Sequence, residues 1–179
     1  RSIAVGADTA AVTCIHAPHP EEVGADRIAN AVAAEKLYGA PSIVVDFGTA
    51  TNIDVVDSDG YYIGGAIAPG LRISMDALVA RAARIASIPL ETPPHAIGRT
   101  TEEAVQSGAV LGTAAMVEGL VGRIRAELGA PEARVIATGG LANIVADSTN
   151  VFDVVDGQLT LKGICEIARC MRDRVPRTA

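Results

Sequence analysis

Val44-Val45-Asp46-Phe47-Gly48-Thr49-Ala50-Thr51 is the stretch on which the fold turns. It continues Ser42 and Ile43 in an almost wholly apolar, β-branched run, the pattern of a strand buried on both faces. Asp46 delivers one carboxylate at the end of that run. Gly48 lets the backbone turn close to a ligand, and Thr49 and Thr51 offer hydroxyls beside free N–H groups. Such a turn suits a polyphosphate with its metal ion: the carboxylate serves the cation or its waters, and the N–H and hydroxyl groups serve phosphate oxygens. An ordinary hairpin with an Asx-type turn has the same residues, and the stretch taken alone leaves both readings open.

Working outward, residues 52–57 alternate in part and end at Ser58-Asp59-Gly60, a hairpin signal. Residues 61–67 read as a third strand, ended by Ala68-Pro69-Gly70. Three strands joined by tight turns predict an antiparallel meander, not a βαβ unit. Upstream, Gly24-Ala25-Asp26-Arg27 opens an Ala-rich helix with Ile28, Ala31 and Val32 on one face, stopped by Gly39-Ala40-Pro41. A short strand is expected near residues 10–15.

Downstream, a helix is expected from Ser74 as N-cap, with Met75, Leu78, Val79 and Ala82 in its pattern. Residues 88–97 form a Pro-containing loop. Thr100-Thr101-Glu102-Glu103 then opens a long helix on which Val105, Ala109, Gly112, Met116, Leu120 and Ile124 recur at near-helical spacing. Gly108 and Gly112 would let a neighbouring backbone approach it. A strand at 134–137 runs into Thr138-Gly139-Gly140-Leu141. A last helix spans about 161–172, with Leu161, Ile164, Cys165, Ala168 and Met171 inward. This order predicts an α/β domain with a mixed sheet.

The bulk numbers bound the function. The chain has 179 residues, 49% of them hydrophobic and 20% charged, enough apolar material for a substantial core. A formal net charge of −6, with the basic residues dispersed and few aromatics, argues against a nucleic-acid partner. Cys14, Cys165 and Cys170 form no Cys-x-x-Cys pair and read as core residues of a reducing, cytoplasmic protein. No apolar run reaches membrane-spanning length and no signal-peptide pattern appears, so no membrane partner is expected. His16, His19 and His95 lack metal-ligand spacing, and Asp54, Asp57 and Asp59 read as solvated turn residues. There is no Gly-x-Ser-x-Gly and no P-loop.

Two further motifs carry chemistry. Paired glycines after a strand, Gly139-Gly140, admit a flat or phosphorylated ligand, or make a plain turn. At the helix start, Arg27 has the geometry to hold a carboxylate or phosphate bidentately, and Asp26 can accept a proton from a hydroxyl. The bland alternative is an Asp that complements the helix dipole and pairs with its neighbour.

Together these stretches resemble type III pantothenate kinases, of the acetate and sugar kinase/Hsp70/actin superfamily. The resemblance runs from about Glu21 to Met171. Its anchors are Glu22-Val23-Gly24-Ala25-Asp26-Arg27, Val45-Asp46-Phe47-Gly48-Thr49-Ala50-Thr51, Gly64-Gly65-Ala66-Ile67-Ala68-Pro69-Gly70, Ile97-Gly98-Arg99-Thr100-Thr101 with Gln106-Ser107-Gly108, and Ala137-Thr138-Gly139-Gly140-Leu141. The particular pairing of Gly24–Arg27 with Gly48–Thr51 disfavours other sugar or acetate kinases.

The resemblance implies an actin/ribonuclease H-like domain at residues 41–179, with residues 1–40 as the remnant of a first, similar domain. It implies ATP-dependent phosphorylation of pantothenate, with Asp26 as general base. Gly24, Ala25, Asp26, Arg27 and Thr101 would bind substrate, Thr101 across a dimer interface. Gly48, Thr49, Thr51, Gly139 and Gly140 would bind ATP. Asp46 would serve a monovalent cation, K+ or NH4+, and Mg2+ would accompany the nucleotide. The family's opening Asp-x-Gly-Asn-Thr element has no counterpart here, Asn52 replaces a usual Thr and Thr100 a usual Asn. The expectation is therefore a truncated or inactive member, the alternative being a non-catalytic nucleotide-binding or regulatory module of the same fold.

Overall fold

The computed structural model describes residues 4–6, 15–81 and 88–173. Cys14, Ala82 and most of the strand expected at 10–15 lie outside them; at its edge, Ile15 bridges to Tyr62 in parallel. Strand β1 (Ser42–Phe47) is the centre of the sheet, as its apolar run predicts. It is followed by β2 (Ala50–Val56) and β3 (Tyr62–Pro69), both antiparallel to their predecessors. β4 (Arg134–Thr138) lies parallel on the other side of β1, and β5 (Val154–Val155) parallel to β4. The order across the sheet is β3-β2-β1-β4-β5, the mixed sheet the sequence predicts.

Helices cover both faces. On one lie α1 (Ala25–Tyr38) and α6 (Leu159–Asp173). On the other run α3 (Thr101–Gln106), a π-helical turn (Ser107–Leu111) and α4 (Gly112–Leu128) as one continuous helix. Two shorter helices complete the set, α2 (Leu71–Arg81) and α5 (Ala142–Ala146). The period-2 geometry of a strand sorts the sheet residues between these layers. Ile43, Val45 and Phe47 join Ile53, Val135 and Ala137 in the core under α4. Val44 and Ile136 meet Ala33 and Ala34 of α1 on the other side.

α1 is buried nearly all round from Ile28 to Ala34 because it is sandwiched between sheet and α6. Its alanines make that thickness feasible, and Gly163 of α6 completes it: a Cβ at Gly163 would stand 1.9 Å from the Ala29 carbonyl oxygen. This glycine explains why the inward face of α6 differs from expectation. Leu159, Gly163 and Ile167 face inward, at i, i+4 and i+8, while Leu161, Ile164 and Cys165 are exposed. A hydrophobic pattern cannot mark a seam whose middle residue is glycine.

Three other expectations are corrected. α2 starts at Leu71, directly after Gly70, so Ser74 lies within it, and Leu78 is exposed. In the long helix the fully buried row is Gln106, Val110, Ala114, Val117 and Val121, with Met116, Leu120 and Ile124 only partly covered beside it. A Cβ at Gly108 or Gly112 would meet no other part of the described residues within 4 Å. That helix, 101–128, has the length and apolar composition to cross a membrane, with mean hydropathy 1.3 over its window. Scattered polar residues hide that length from a search for unbroken apolar runs; here the helix lays its buried row on the sheet.

Candidate functional site

At the C-terminal end of β1, two turns and one helix start come together. The β1–β2 turn carries Gly48 and Thr49, both exposed. The β4–α5 turn lies against it: Leu141 N–H donates to the Phe47 carbonyl at 3.4 Å. Gly139 makes this approach feasible, with φ at +94°. A Cβ there would sit 2.6 Å from the Phe47 carbonyl and 2.6 Å from Asp46 Oδ1. On the other flank a Cβ at Gly70 would sit 2.1 Å from the Thr49 carbonyl oxygen. The turn is thus clasped between two glycines, each needed because backbone meets backbone.

Asp46 is half-buried below this turn. Its Oδ2 accepts from Asn30 Nδ2 at 3.0 Å. Its Oδ1 faces Gly139 and Gly48. Burial holds the carboxyl above the usual Asp range, the Asn30 hydrogen bond works against this, and Asp26 adds to it by like-charge repulsion. Asp26 lies exposed at the first turn of α1. Its carboxylate folds back over Gly24, where a Cβ would stand 2.5 Å from Oδ1. The N-cap glycine is therefore what allows Asp26 this position. Asp46 faces the glycine-lined turn from β1, while Asp26, exposed at the first turn of α1, acts on Asp46 only through its charge.

The structure does not leave Arg27 as a free substrate clamp. Its Nε and Nη2 both donate to Asp54 Oδ1 at 2.7 Å, and its guanidinium lies 5.6 Å from the Tyr62 ring centroid. The Asp54 side chain is 0% exposed, which overturns its reading as a solvated turn residue. Asp54 sits on β2 opposite Gly65, pointing to α1 rather than to water. Burial raises its carboxyl pKa even though Arg27 pulls it down. Its Oδ2 makes no hydrogen bond of standard geometry, although the Tyr62 phenol acts on the carboxylate, and burial drives the phenol's own pKa well up. No sequence signal separated Asp54 from Asp57 and Asp59 except strand parity: it shares the α1 face with Asn52 and Val56. Asp57 accepts from the Asp59 and Tyr61 N–H groups as a turn residue should.

Thr51 pairs with Phe47 across the strands and shares its face, away from Asp46. Its hydroxyl is buried without a hydrogen-bond partner. Thr101 belongs to the opposite helix layer from Asp26, lining a groove of about 470 Å³ with Ser74, Met75 and Leu78. Among the described residues, no three His, Cys, Asp or Glu side chains converge as a metal cage. What the cleft offers a cation is a single carboxylate oxygen, Asp46 Oδ1, with turn carbonyls nearby. That donor set is too sparse to chelate a divalent ion tightly by itself.

A three-stranded antiparallel meander extended by two parallel strands, with helices on both faces and a glycine-clasped turn after β1, defines an actin/ribonuclease H-like α/β domain. The sequence profile of type III pantothenate kinase matches residues 3–123. The type III pantothenate kinase of Thermomicrobium roseum is 58% identical over 150 residues, which is 84% of this chain and 58% of that protein. That of Paramagnetospirillum magneticum is 52% identical over 150 residues, 84% of this chain and 57% of the relative. A solved structure of a conserved Baf-family protein from Campylobacter jejuni, described as a transcriptional activator, superposes with TM-score 0.65. It is 20% identical and covers 92% of this chain and 72% of the other. The chain belongs to the type III pantothenate kinase family and spans a little under three-fifths of the length of these two curated relatives.

Proposed function

We propose that this chain carries the second phosphate turn, cation carboxylate and general base of an ATP-dependent pantothenate kinase, the first step toward coenzyme A. The observation that carries the reading is Asp46 Oδ1 set against Gly48 and Gly139, with Asp26 of the first turn of α1 acting on its charge. Asp26 takes the proton from the pantothenate hydroxyl. That oxygen attacks the γ-phosphorus of ATP, the bond to the β–γ bridging oxygen breaks, and ADP leaves. Positioning and charge neutralisation do most of the work in such a transfer. Gly48 and Thr49 serve phosphate oxygens, and Gly139 and Gly140 flank the adenosine, whereas Thr51, buried on the core face away from Asp46, is set apart from that role. Asp46 Oδ1 would hold K+ or NH4+, and Mg2+ accompanying the nucleotide would supply charge neutralisation. Gly24 and Ala25 shape the pantothenate side, where Arg27, anchored by Asp54, presents its remaining N–H groups.

In this reading residues 1–40 close a first, similar domain, and α1 is the helix by which that domain is held on the second, residues 41–179. Thr101 lies in the wrong helix layer to serve Asp26 of its own chain, so its contribution comes from a second copy. The long helix offers the surface for such a homodimer. Gly108, Gly112, Ala115, Gly119, Gly122 and Ala126 recur at alternating spacings of four and three, the geometry of a close helix–helix seam. The four glycines have nothing within 4 Å, and both alanines are exposed. The reading places the protein in the cytoplasm, without nucleic-acid or membrane partners.

A coupled ADP-release assay with pantothenate, ATP, Mg2+ and K+ tests the proposal. Pantothenate-dependent ADP release supports it. Nucleotide binding without turnover, where an intact relative turns over, assigns the chain instead to the non-catalytic module.

A further inference from the structure

We infer that Asn30 and Thr160 are positioning residues for Asp46: a buried relay from α6 through α1 to β1 aims the Asp46 carboxylate into the cleft between Gly48 and Gly139. The inference rests on the proposed reading of that cleft as a cation and phosphate site. Thr160 Oγ1 donates to Asn30 Oδ1 at 2.7 Å, and Asn30 Nδ2 donates to Asp46 Oδ2 at 3.0 Å. Asn30 is 0% exposed, so neither end of its amide can exchange its partner for water. The Asp46 bond fixes which end faces the carboxylate, since a flipped amide would set oxygen against oxygen. Thr160 holds the other end in the same sense.

With Oδ2 held, Asp46 has only Oδ1 to present, and Oδ1 is the atom facing the two glycines. The choice of a neutral amide matters. One turn earlier α1 meets another sheet carboxylate, Asp54, and neutralises it with Arg27. At Asn30 the same helix orients a carboxylate without quenching its charge, which is what a cation ligand requires. A merely structural asparagine would need its hydrogen bonds satisfied, but would not need to leave one carboxylate oxygen facing the cleft. Outer-shell partners of this kind fix the geometry of a ligand they do not replace.

The test uses the full chain. Thr160→Val removes the hydroxyl at nearly constant shape, Thr160→Ser restores it, and Asn30→Leu removes the amide. The readouts are binding of a fluorescent, non-hydrolysable ATP analogue with Mg2+, with and without K+, together with melting temperature and crystal structures. Thr160→Val is expected to stay folded, to bind the analogue roughly 3- to 10-fold more weakly in K+ and to lose most of the K+ dependence. Asn30→Leu is expected to weaken binding by roughly 10-fold or more, and Thr160→Ser to bind as the wild type does. The Asp46 carboxylate should turn away from Gly139 in the Thr160→Val crystal. An unmoved Asp46 in that crystal overturns the inference, as does wild-type affinity with full K+ dependence in Thr160→Val. Absence of analogue binding by the wild type defeats the nucleotide reading instead, and the Asp46 orientation then decides the relay by itself. If Asn30→Leu does not fold, the two Thr160 variants suffice.

Discussion

Asp26 and Asp46 repel one another, and their surroundings differ. Asp26 is exposed at the first turn of α1, where the proposed reaction needs a base; Asp46 is half-buried and held by Asn30. Asp26→Asn keeps the shape and removes the base, so ADP release should fall about 10²- to 10⁴-fold while analogue binding stays intact. Asp46 titrates above the usual carboxylate range because burial and Asp26 disfavour its charge. In the proposed role of Asp46 as a cation ligand, protons would therefore compete with the cation at a pH where ordinary Asp residues are still ionised. Affinity for the ATP analogue in K+ should decline on acidification before the protein unfolds, and the decline should be absent without K+. The stability sign is the reverse. A carboxyl with a raised folded pKa contributes stability present below its unfolded pKa and lost as pH rises through the folded one. Asp46 and Asp54 both act in this sense, whereas Asp156, held low by Lys162, Tyr38 and the Gln158 N–H against the pull of burial, stabilises at higher pH. Asp54→Leu strands Arg27 in a mostly buried position and should cost about 3–5 kcal/mol in urea unfolding. Asp26, Asp46 and the glycines were legible as residue types in pattern, but Asp54 was not. Three nearby aspartates look alike in sequence, and only the parity of β2 puts one of them under α1.

At the scale of elements, the α1–α6 crossing is a joint where backbone meets backbone. Gly163→Ala drives a methyl into the Ala29 carbonyl. Overpacking of this kind costs about 1–3 kcal/mol, and differential scanning calorimetry should show it, since Gly163 has no positive φ to confuse the comparison. The same joint carries Thr160 to Asn30, so Gly163→Ala should also weaken nucleotide binding, though it touches no ligand. The meander, β4 and the existence of each long helix follow from patterns of apolar residues and turn chemistry. The N-cap of α3 does too: Thr100 accepts from the Glu103 N–H at 3.1 Å, and Glu103 Oε2 accepts from the Arg99 N–H at 2.6 Å. β5 and α5 were not legible, because two residues and five residues are too short to show a period. Helix faces were legible only approximately. Where glycine or a glutamine occupies the seam, as at Gly163 and Gln106, hydrophobicity points to the neighbouring row.

For the whole molecule, the long helix joins the core to an uncovered face. If that face is the dimer seam, light scattering should give twice the chain mass, and Gly112→Glu or Gly119→Glu should halve it without unfolding the chain, because a Cβ at either glycine would meet no other part of the described residues within 4 Å. A mass unchanged by both variants would place the interface elsewhere. The general architecture was readable because strand order follows from the meander and a parallel crossover; which surface remains free is a property of the assembled layers. The central claim, that Asp26 and the Asp46 turn form a phosphoryl-transfer site for pantothenate, is tested most directly by ADP release from ATP with Mg2+ and K+, in the wild type and in Asp26→Asn side by side. The account predicts release that requires pantothenate and is lost in Asp26→Asn. Release that persists in Asp26→Asn, or that proceeds equally without pantothenate, would contradict it.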